Sequence, residues 1–272
     1  MSILEAIFYG IVQGLAEFLP ISSSGHLAAI QNLFGGKNLE TDFFTFDVLL
    51  HLGTLAAVML VYRKDVFKLI KGFFFLVKKI FKGKLKNGLE KYEKLVICLV
   101  IATLPLIPAA FVKDYVEALY GMTKVIGGLL IINGLMLFVS DKLAKKQGGE
   151  ITQKRALGIG LVQLCGLLPG ISRSGSTITG GLLLGVERKE AVKFSFLLSI
   201  PAIVGANILS VFDLAEHPIS SSEILPYVIG MITAAIAGIA AIKLLEYITN
   251  KNKFGVFTVY CAAVGVLLLI FG

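Results

Sequence analysis

Long runs of apolar residues, separated by short polar and charged stretches, divide the chain. The longest runs cover residues 95–112, 125–140, 227–242 and 254–272. Each is close to the roughly 20 residues that an α-helix needs to cross the hydrocarbon of a bilayer. The longest polar stretch, residues 78–94, is too short to bury a core of its own. The pattern predicts an all-α polytopic membrane protein with one membrane domain.

Composition supports this prediction. The 272 residues are 56% hydrophobic and only 16% charged, whereas soluble domains carry about 25% charged residues. Cys98, Cys165 and Cys261 all lie within apolar segments and lack the spacing of metal ligands. We therefore interpret the cysteines as small apolar packing residues.

The net charge of +8 is concentrated in short stretches. Eleven of the 26 Lys and Arg residues lie between Arg63 and Lys94, and five more lie between Lys142 and Arg155. Basic loops beside apolar spans mark the cytoplasmic face and attract anionic membrane lipids, so no nucleic-acid partner is expected. The basic stretch 64–94 is predicted to be cytoplasmic, and its amphipathic part should lie on the membrane surface.

Two segments of the chain resemble each other at an offset of 150 residues. Residues 10–25 read GIVQGLAEFLPISSSG, and residues 160–175 read GLVQLCGLLPGISRSG. The GxVQ pattern and four of the five residues of the ISxSG pattern recur at the same offset. The chain therefore contains an internal repeat.

The distribution of basic residues predicts that the two repeats have inverted topology. The cytoplasmic loops would be 63–94, 142–155, 187–193 and 243–253, and the outer loops 35–42, 113–124 and 213–226. The first repeat, 1–141, would consist of a re-entrant helical hairpin at 1–34 and three spans; the second, 156–272, of a hairpin at 156–186 and three spans. The predicted spans are 43–62, 95–112 and 123–141, then 190–212, 227–246 and 254–272.

Pro20 and Pro169, with Ser and Gly residues beside them, should break each hairpin near its tip. Irregular backbone at membrane depth is tolerated only where it lines a protein cavity. Inverted repeats with broken helices commonly place a site where the starts of half-helices converge. We therefore expect a site between the two tips.

Both tips carry polar side chains. The first offers Gln13, Glu17, Ser22, Ser23, Ser24 and His26, and the second offers Ser172, Arg173, Ser174, Ser176 and Thr177. Gln13 and Glu17 are spaced for one face of a helix, and the repeat pairs Ser23 with Arg173. Ionisable groups inside a bilayer are candidates for function.

Arginine, several hydroxyls and free N–H groups at helix starts form a phosphate cradle. A hydroxyl next to a histidine is the nucleophilic pattern of acyl or phosphoryl transfer, and the arginine favours phosphoryl transfer. The depth of the site implies that the rest of the substrate is a lipid.

The stretches QGLAEFLPISSSGH (13–26) and PGISRSGST (169–177) resemble the undecaprenyl-diphosphate phosphatase family, also called the bacitracin-resistance family. The resemblance covers essentially the whole chain. It implies hydrolysis of a polyprenyl diphosphate, undecaprenyl diphosphate, to the monophosphate and inorganic phosphate. This reaction returns the lipid carrier to cell-wall synthesis and is linked to bacitracin resistance.

Carried over to matching positions, the resemblance implies that Ser23 is the nucleophile, that His26 takes or donates its proton and that Arg173 clamps the phosphate. The residues expected to bind the substrate phosphate are Gln13, Ser22, Ser24, Ser172, Ser174 and Thr177. Glu17, helped by Gln13, would orient water or His26, or bind Mg²⁺ or Ca²⁺. A phosphohistidine at His26 is an alternative, and His51 is a further candidate for the site.

Many members carry glutamate where this chain has Gln13, which leaves open how a divalent cation is held. No organic cofactor is expected. The topology places the first tip in a cavity open to the extracytoplasmic side of the cell (plasma) membrane, where spent carrier lipid accumulates. A homodimer is a further expectation, because small-residue faces such as that of Gly127, Gly128 and Gly134 could pack helices within or between subunits.

Two other functions fit parts of the pattern. Inverted repeats are typical of alternating access, so a lipid-phosphate transporter or flippase could bind a phosphate through Arg173 without cleaving it. An intramembrane serine protease using Ser23 and His26 would have no need of Arg173. Phosphate release by the purified protein distinguishes the enzyme from both.

Overall fold

The computed structural model describes residues 1–34, 39–84, 88–144, 148–214, 220–251 and 254–272, without the side chains of 39–44, 110, 113 and 209–214. The first half contains α1 (Ile3–Phe18), α2 (Ser23–Phe34), α3 (Leu39–Val61), α4 (Arg63–Phe81), α5 (Lys91–Thr103), α6 (Leu106–Ala109), α7 (Lys113–Ala118) and α8 (Thr123–Leu143). The second half contains α9 (Gln153–Gln163), a 3₁₀ helix (Leu164–Leu167), α10 (Arg173–Leu183), α11 (Arg188–Leu214), α12 (Ile224–Asn250) and α13 (Gly255–Phe271).

The apolar helices confirm a multi-pass all-α membrane protein. Four helical stretches within the described residues are long and apolar enough to cross a bilayer: Lys91–Ala109, Thr123–Leu143, Arg188–Ile208 and Ile224–Asn250. Helices α3 and α4 together form a fifth candidate, bent by 91° at Tyr62. The predicted division of this one membrane domain into two repeats of inverted topology is a finer statement, and it stays a prediction.

Several predicted loops are largely helical. The outer loop predicted at 35–42 is shorter, because α3 already begins at Leu39, and residues 35–38 lie outside the described residues. The basic loop predicted at 243–253 falls mostly on the last turns of α12, with residues 252–253 again not described. The predicted loops 63–94, 142–155 and 213–226 also include residues outside the described ranges, namely 85–87, 145–147 and 215–219. Charged side chains mark where the apolar run ends, but a helix can continue past that point because its backbone groups stay paired.

The offset of 150 residues recurs in the helix boundaries. A hydroxyl side chain caps the first helix of each pair: Ser2 accepts a hydrogen bond from the N–H of Glu5, and Thr152 accepts one from the N–H of Arg155. Helices α1 and α9 begin at residues 3 and 153, and α2 and α10 begin at residues 23 and 173. The two helix pairs are therefore built in the same register, with Ser23 and Arg173 at equivalent positions.

Glycines let the helices that carry the tips pack closely. Helix α1 lies along α12, and a Cβ added at Gly10 would meet the carbonyl oxygen of Gly230 at 2.6 Å. Helix α8 lies along α13 in the same way, through Gly127 and Gly134. Those two glycines therefore serve packing within the chain, and the expected homodimer stays a prediction. Such small-residue contacts are typical of helix pairs in membranes.

Helix α4 runs away from α3 and is held by ion pairs. Asp65 contacts Lys193 of α11 at 2.8 Å and accepts a hydrogen bond from Tyr92 at 3.0 Å. Burial would raise the pKa of Asp65, but these two hydrogen bonds outweigh it and lower the pKa below its usual range. Phe73, Phe74 and Phe75 are exposed, as expected of an amphipathic helix at a membrane surface.

The three cysteines differ in their exposure. Cys98 and Cys261 are buried, as expected of packing residues, whereas Cys165 is exposed. The packing interpretation is therefore wrong for Cys165, which lies in the 3₁₀ helix that precedes the second tip.

Candidate active site

The tips of the two helix pairs touch each other. A Cβ added at Gly25 would lie 2.7 Å from both the Cα and the nitrogen of Gly170, so the backbones are in direct contact. Both tips contain one residue with positive φ, Ser22 at 71° and Gly170 at 106°. The N–H of Gly170 donates to the hydroxyl of Ser22 at 3.1 Å. The tip of one pair thus accepts a hydrogen bond from the tip of the other.

Glu17 is the centre of the polar cluster between the tips. Its Oε1 accepts from Nη2 of Arg173 at 2.5 Å. Its Oε2 accepts from the hydroxyl of Ser23 at 2.8 Å and from Nε2 of Gln13 at 3.2 Å. The carboxylate is 7% exposed, and a buried charge needs such partners. The structure therefore brings Ser23 and Arg173 together on the two oxygens of one carboxylate.

His51 of α3 also belongs to this cluster. Its Nε2 lies 3.8 Å from Oε2 of Glu17. Its Nδ1 faces the carbonyl oxygen of Asp47 at 2.9 Å and the carboxylate of Asp47 at 3.6 Å. The Asp47 carbonyl accepts from Nδ1 and so turns Nε2 toward Glu17. His51 adds a third ionisable group to Glu17 and Arg173.

His26 faces away from this cluster. Its Nδ1 lies 2.7 Å from the carbonyl oxygen of Ser22, and its Nε2 lies 2.9 Å from the hydroxyl of Tyr260. The two rings are stacked with centroids 5.6 Å apart. The hydroxyl of Ser23 is bonded to Glu17 rather than to His26. The spacing of Ser23 and His26 on one helical turn therefore does not produce a direct hydrogen bond in this structure.

The remaining predicted hydroxyls hold the tips in shape. Ser22 accepts from the N–H of Gly25, and Ser172, the N-cap of α10, accepts from the N–H of Gly175. The other hydroxyl contacts join Ser24 to Ser22, Ser174 to Ser172 and to the carbonyl of Leu19, and Thr177 to Ser195. Ser23, Ser24 and Arg173 are partly accessible, whereas Ser22, Ser172, Ser174 and Thr177 are buried. A phosphate would therefore reach Ser23, Ser24 and Arg173 first.

Asn133 of α8 connects the tips from a third side. Its Nδ2 donates to the carbonyl oxygen of Pro20 at 2.9 Å, and its Oδ1 accepts from the N–H of Ser172 at 3.0 Å. Its Nδ2 also contacts the sulfur of Cys261 at 3.4 Å. The residue is completely buried. One amide thus hydrogen-bonds to both tips.

Gln13 and Glu17 are the oxygen donors that this cluster could offer to a divalent cation. The described residues contain no group of three or more His, Cys, Asp or Glu side chains placed to hold a metal ion. Oε1 of Gln13 is nevertheless buried and has no hydrogen-bond partner among the described residues. Glu17 and Gln13 fit the kind of site that Mg²⁺ uses, where one or two protein oxygens act together with substrate phosphates.

A cavity of about 320 Å³ lies elsewhere, between the ends of α3 and α12 and the start of α11. The lysines that line it, Lys189 and Lys193, are balanced by Glu190 and Glu246. Neither Glu17 nor Arg173 contributes to it. The cavity is therefore separate from the polar cluster at the tips.

Sequence reasoning found Gln13, Glu17, Ser23 and Arg173 because they lie in the repeated motifs. His51 was only a weak candidate, although its place in an apolar run marked it as a costly ionisable residue. Asn133 and Tyr260 gave a weaker signal still, since one buried amide and one tyrosine are common in membrane helices. Only the fold places them at the tips.

Comparisons with known proteins cover nearly the whole chain. Residues 6–267 match the family model described as Bacitracin resistance protein BacA. The chain is 38% identical to the undecaprenyl-diphosphatase of Alkaliphilus metalliredigens, with 100% of this chain and 99% of the relative aligned. It is 38% identical to that of Methanobrevibacter smithii, covering 98% and 97%, and 40% identical to that of Korarchaeum cryptofilum, covering 99% of both.

Proposed function

The chain belongs to the bacitracin resistance protein BacA family, and from this membership we propose how its tips perform the reaction. The resemblance seen in the sequence is confirmed. The protein is an integral membrane hydrolase, an undecaprenyl-diphosphatase. It hydrolyses undecaprenyl diphosphate to the monophosphate and inorganic phosphate, recycles the carrier for cell-wall synthesis and confers bacitracin resistance.

One observation carries the mechanism: Ser23 and Arg173 occupy the two oxygens of the Glu17 carboxylate. In the first step, Glu17 takes the proton of the Ser23 hydroxyl, and Oγ attacks the terminal phosphorus. A serine–phosphate bond forms while the anhydride bond breaks, and undecaprenyl monophosphate leaves with the bridging oxygen. The donors of Arg173 that do not contact Glu17 stabilise the charge that develops on the phosphoryl oxygens.

In the second step, water hydrolyses the phosphoserine. Glu17 first passes its proton to solvent and then accepts a proton from the attacking water. The phosphorus–Oγ bond breaks, Ser23 regains a proton, and inorganic phosphate leaves. A phosphohistidine at His26 is less well supported, because both ring nitrogens already have partners in Ser22 and Tyr260.

The other predicted residues support these steps from the start of the half-helices. Helices α2 and α10 both begin at the tips, so their free N–H groups and dipoles favour a phosphate there. Ser24 lies at the accessible edge and would hydrogen-bond the phosphate directly. Ser22, Ser172, Ser174 and Thr177 would act by fixing the backbone that presents these N–H groups. His26 would exchange protons with the departing monophosphate or with solvent.

Gln13 and Glu17 would hold a divalent cation together with the oxygens of the substrate. We propose Mg²⁺ or Ca²⁺ in this role, on the basis of the partnerless Oε1 of Gln13 beside the carboxylate. The ion would neutralise part of the charge of the diphosphate.

We further propose that the two repeats are inverted and that the site opens to the extracytoplasmic side of the cell membrane. Three features support this: the common register of the helix pairs, the packing of α1 on α12 as α9 packs on α5, and the basic stretches predicted to be cytoplasmic. A site on that side would meet carrier lipid left behind by glycan transfer.

The test is phosphate release from undecaprenyl diphosphate by the purified protein in detergent. We expect Ser23→Ala to lower kcat by at least about 100-fold while lipid binding persists. Ser199→Ala is the matched control, because among the described residues its buried hydroxyl donates to the carbonyl of Phe196 in α11 and to nothing at the tips. Binding without release by the native chain would instead favour a transporter. Unimpaired turnover in Ser23→Ala and His26→Ala would refute the roles given to both residues.

A protease would behave differently from both. It would not need the guanidinium of Arg173, so Arg173→Ala should then leave cleavage intact. For the proposed phosphatase, the same substitution should abolish phosphate release, because nothing else in the cluster supplies a permanent positive charge.

A further inference from the structure

Asn133 bonds one backbone group of each tip. The carbonyl of Pro20 follows the end of α1, and the N–H of Ser172 precedes the start of α10. Helix ends leave such groups unsatisfied, and at membrane depth no bulk water can satisfy them. The amide is completely buried on α8, so it meets both needs inside the protein.

These two groups flank the reacting residues. Pro20 stands midway between Glu17 and Ser23 in the chain, and Ser172 directly precedes Arg173. The tips also contact each other directly, because their backbones touch at Gly25 and Gly170 and the N–H of Gly170 donates to the hydroxyl of Ser22. Asn133 adds a bridge from a third helix: its single amide bonds the backbone beside the base and nucleophile on one tip and the backbone beside the cation on the other.

We propose that Asn133 is a positioning residue for the hydrolysis of the diphosphate. It holds the two tips at the distance at which the oxygens of Glu17 meet Ser23 and Arg173 together. This inference rests on the proposed function, because it assumes that those residues act on one phosphate. Asn133 itself touches neither the substrate nor the reacting atoms.

The chemistry of the site requires an amide. Pro20 offers only an acceptor and Ser172 only a donor, so the side chain between them must donate on one side and accept on the other. Leucine has a similar volume and can do neither. An ionised aspartate can accept from Ser172 but would place a negative oxygen against the carbonyl of Pro20. A protonated aspartic acid can again do both.

The experiment measures kcat and KM for phosphate release from undecaprenyl diphosphate in detergent. For Asn133→Leu we expect kcat to fall by about 100-fold, as for a misplacement of about 1 Å between reacting groups. KM should change by less than about 3-fold, because Arg173 and the helix starts that bind the phosphate remain. A fall in kcat with little change in KM indicates lost stabilisation of the transition state rather than lost binding of the substrate. For Asn133→Asp, the ratio of its kcat to that of the native chain should rise as the pH falls.

The control is Asn207→Leu, because within the described part of the chain the amide of Asn207 donates to the carbonyl of Ile203 in its own helix and to no group at the tips. Its kcat should stay close to that of the native chain. Thermal unfolding in detergent shows whether each variant is folded. If Asn133→Leu does not fold, the pH dependence of kcat in Asn133→Asp tests the inference instead. Unchanged kcat in Asn133→Leu, a rise in KM alone, or a ratio for Asn133→Asp that does not vary with pH would overturn the inference. Lack of phosphate release by the native chain would instead overturn the proposed function.

Discussion

The ion pair between Glu17 and Arg173 gives the sharpest test of how the site is built. Glu17→Gln keeps the size of the side chain and one acceptor oxygen but removes the charge. Arg173→Gln removes the opposite charge. In each single variant one charge remains without its counterion among groups that are largely buried, with the Glu17 and Arg173 side chains 6% and 18% exposed. The double variant has no unpaired charge.

The magnitude follows from the burial of the two groups. Removing one partner of a buried pair costs about 3–5 kcal/mol of unfolding free energy, because the other charge stays desolvated. We expect about 3 kcal/mol for Glu17→Gln, since the guanidinium it leaves is the more exposed group, and a larger loss for Arg173→Gln. The double variant should lose less than the sum of the two, by up to about 3 kcal/mol.

The turnover of the three variants should not follow their free energies of unfolding. Both residues take part in the proposed reaction, so kcat should fall by at least about 100-fold in all three variants. Unfolding in mixed micelles of a mild detergent and sodium dodecyl sulfate measures the free energies, and phosphate release measures turnover. If the two losses of stability are additive, the pair is not coupled as the structure implies. If the double variant regains turnover, the roles assigned to both residues are wrong.

Two further outcomes follow from the contacts. Gly25→Ala should lower the free energy of unfolding by about 1–3 kcal/mol and reduce kcat, because its Cβ would lie 2.7 Å from the backbone of Gly170. Gly128→Ala is the control: a Cβ added there meets no atom within 4 Å, so neither quantity should change. The contact of Asp65 with Lys193 stabilises the fold above the ordinary carboxyl pKa of about 3.9 and is lost as the pH falls through the lowered pKa of Asp65. Asp65→Asn should therefore be less stable than the native chain at pH 7, by up to about 1 kcal/mol, and the difference should vanish in acid; a difference that grows in acid would contradict this assignment.

The apolar runs predicted most of the long helices, because crossing a bilayer imposes a length and a composition that show directly in the sequence. They predicted the ends of those helices less well. Helix α12 continues through residues that were assigned to a basic loop, since positive charge reports where a helix leaves the hydrocarbon, not where it stops. The same limit applies to α3, which begins before its apolar run.

The repeat predicted a site between the two tips. It set Ser23 and Arg173 at equivalent positions, and both occupy the first turn of a helix at the tips. Local spacing was a poorer guide to contacts. Ser23 and His26 are three residues apart, yet His26 bonds to Ser22 and Tyr260, because α13 lies against that side of α2 and offers a hydroxyl.

The sequence by itself determined that this chain lies in a membrane, that it contains two similar segments and that a carboxylate, a hydroxyl and a guanidinium stand in those segments. These properties are written in composition and in short motifs, which need no knowledge of distant contacts. Only the tertiary structure decided which of the polar residues meet. Asn133 and His51 reach the tips although each lies at least 25 residues from either motif. The packing of α8 and α3 against the tips brings both residues there, and no local pattern in the sequence predicts this contact.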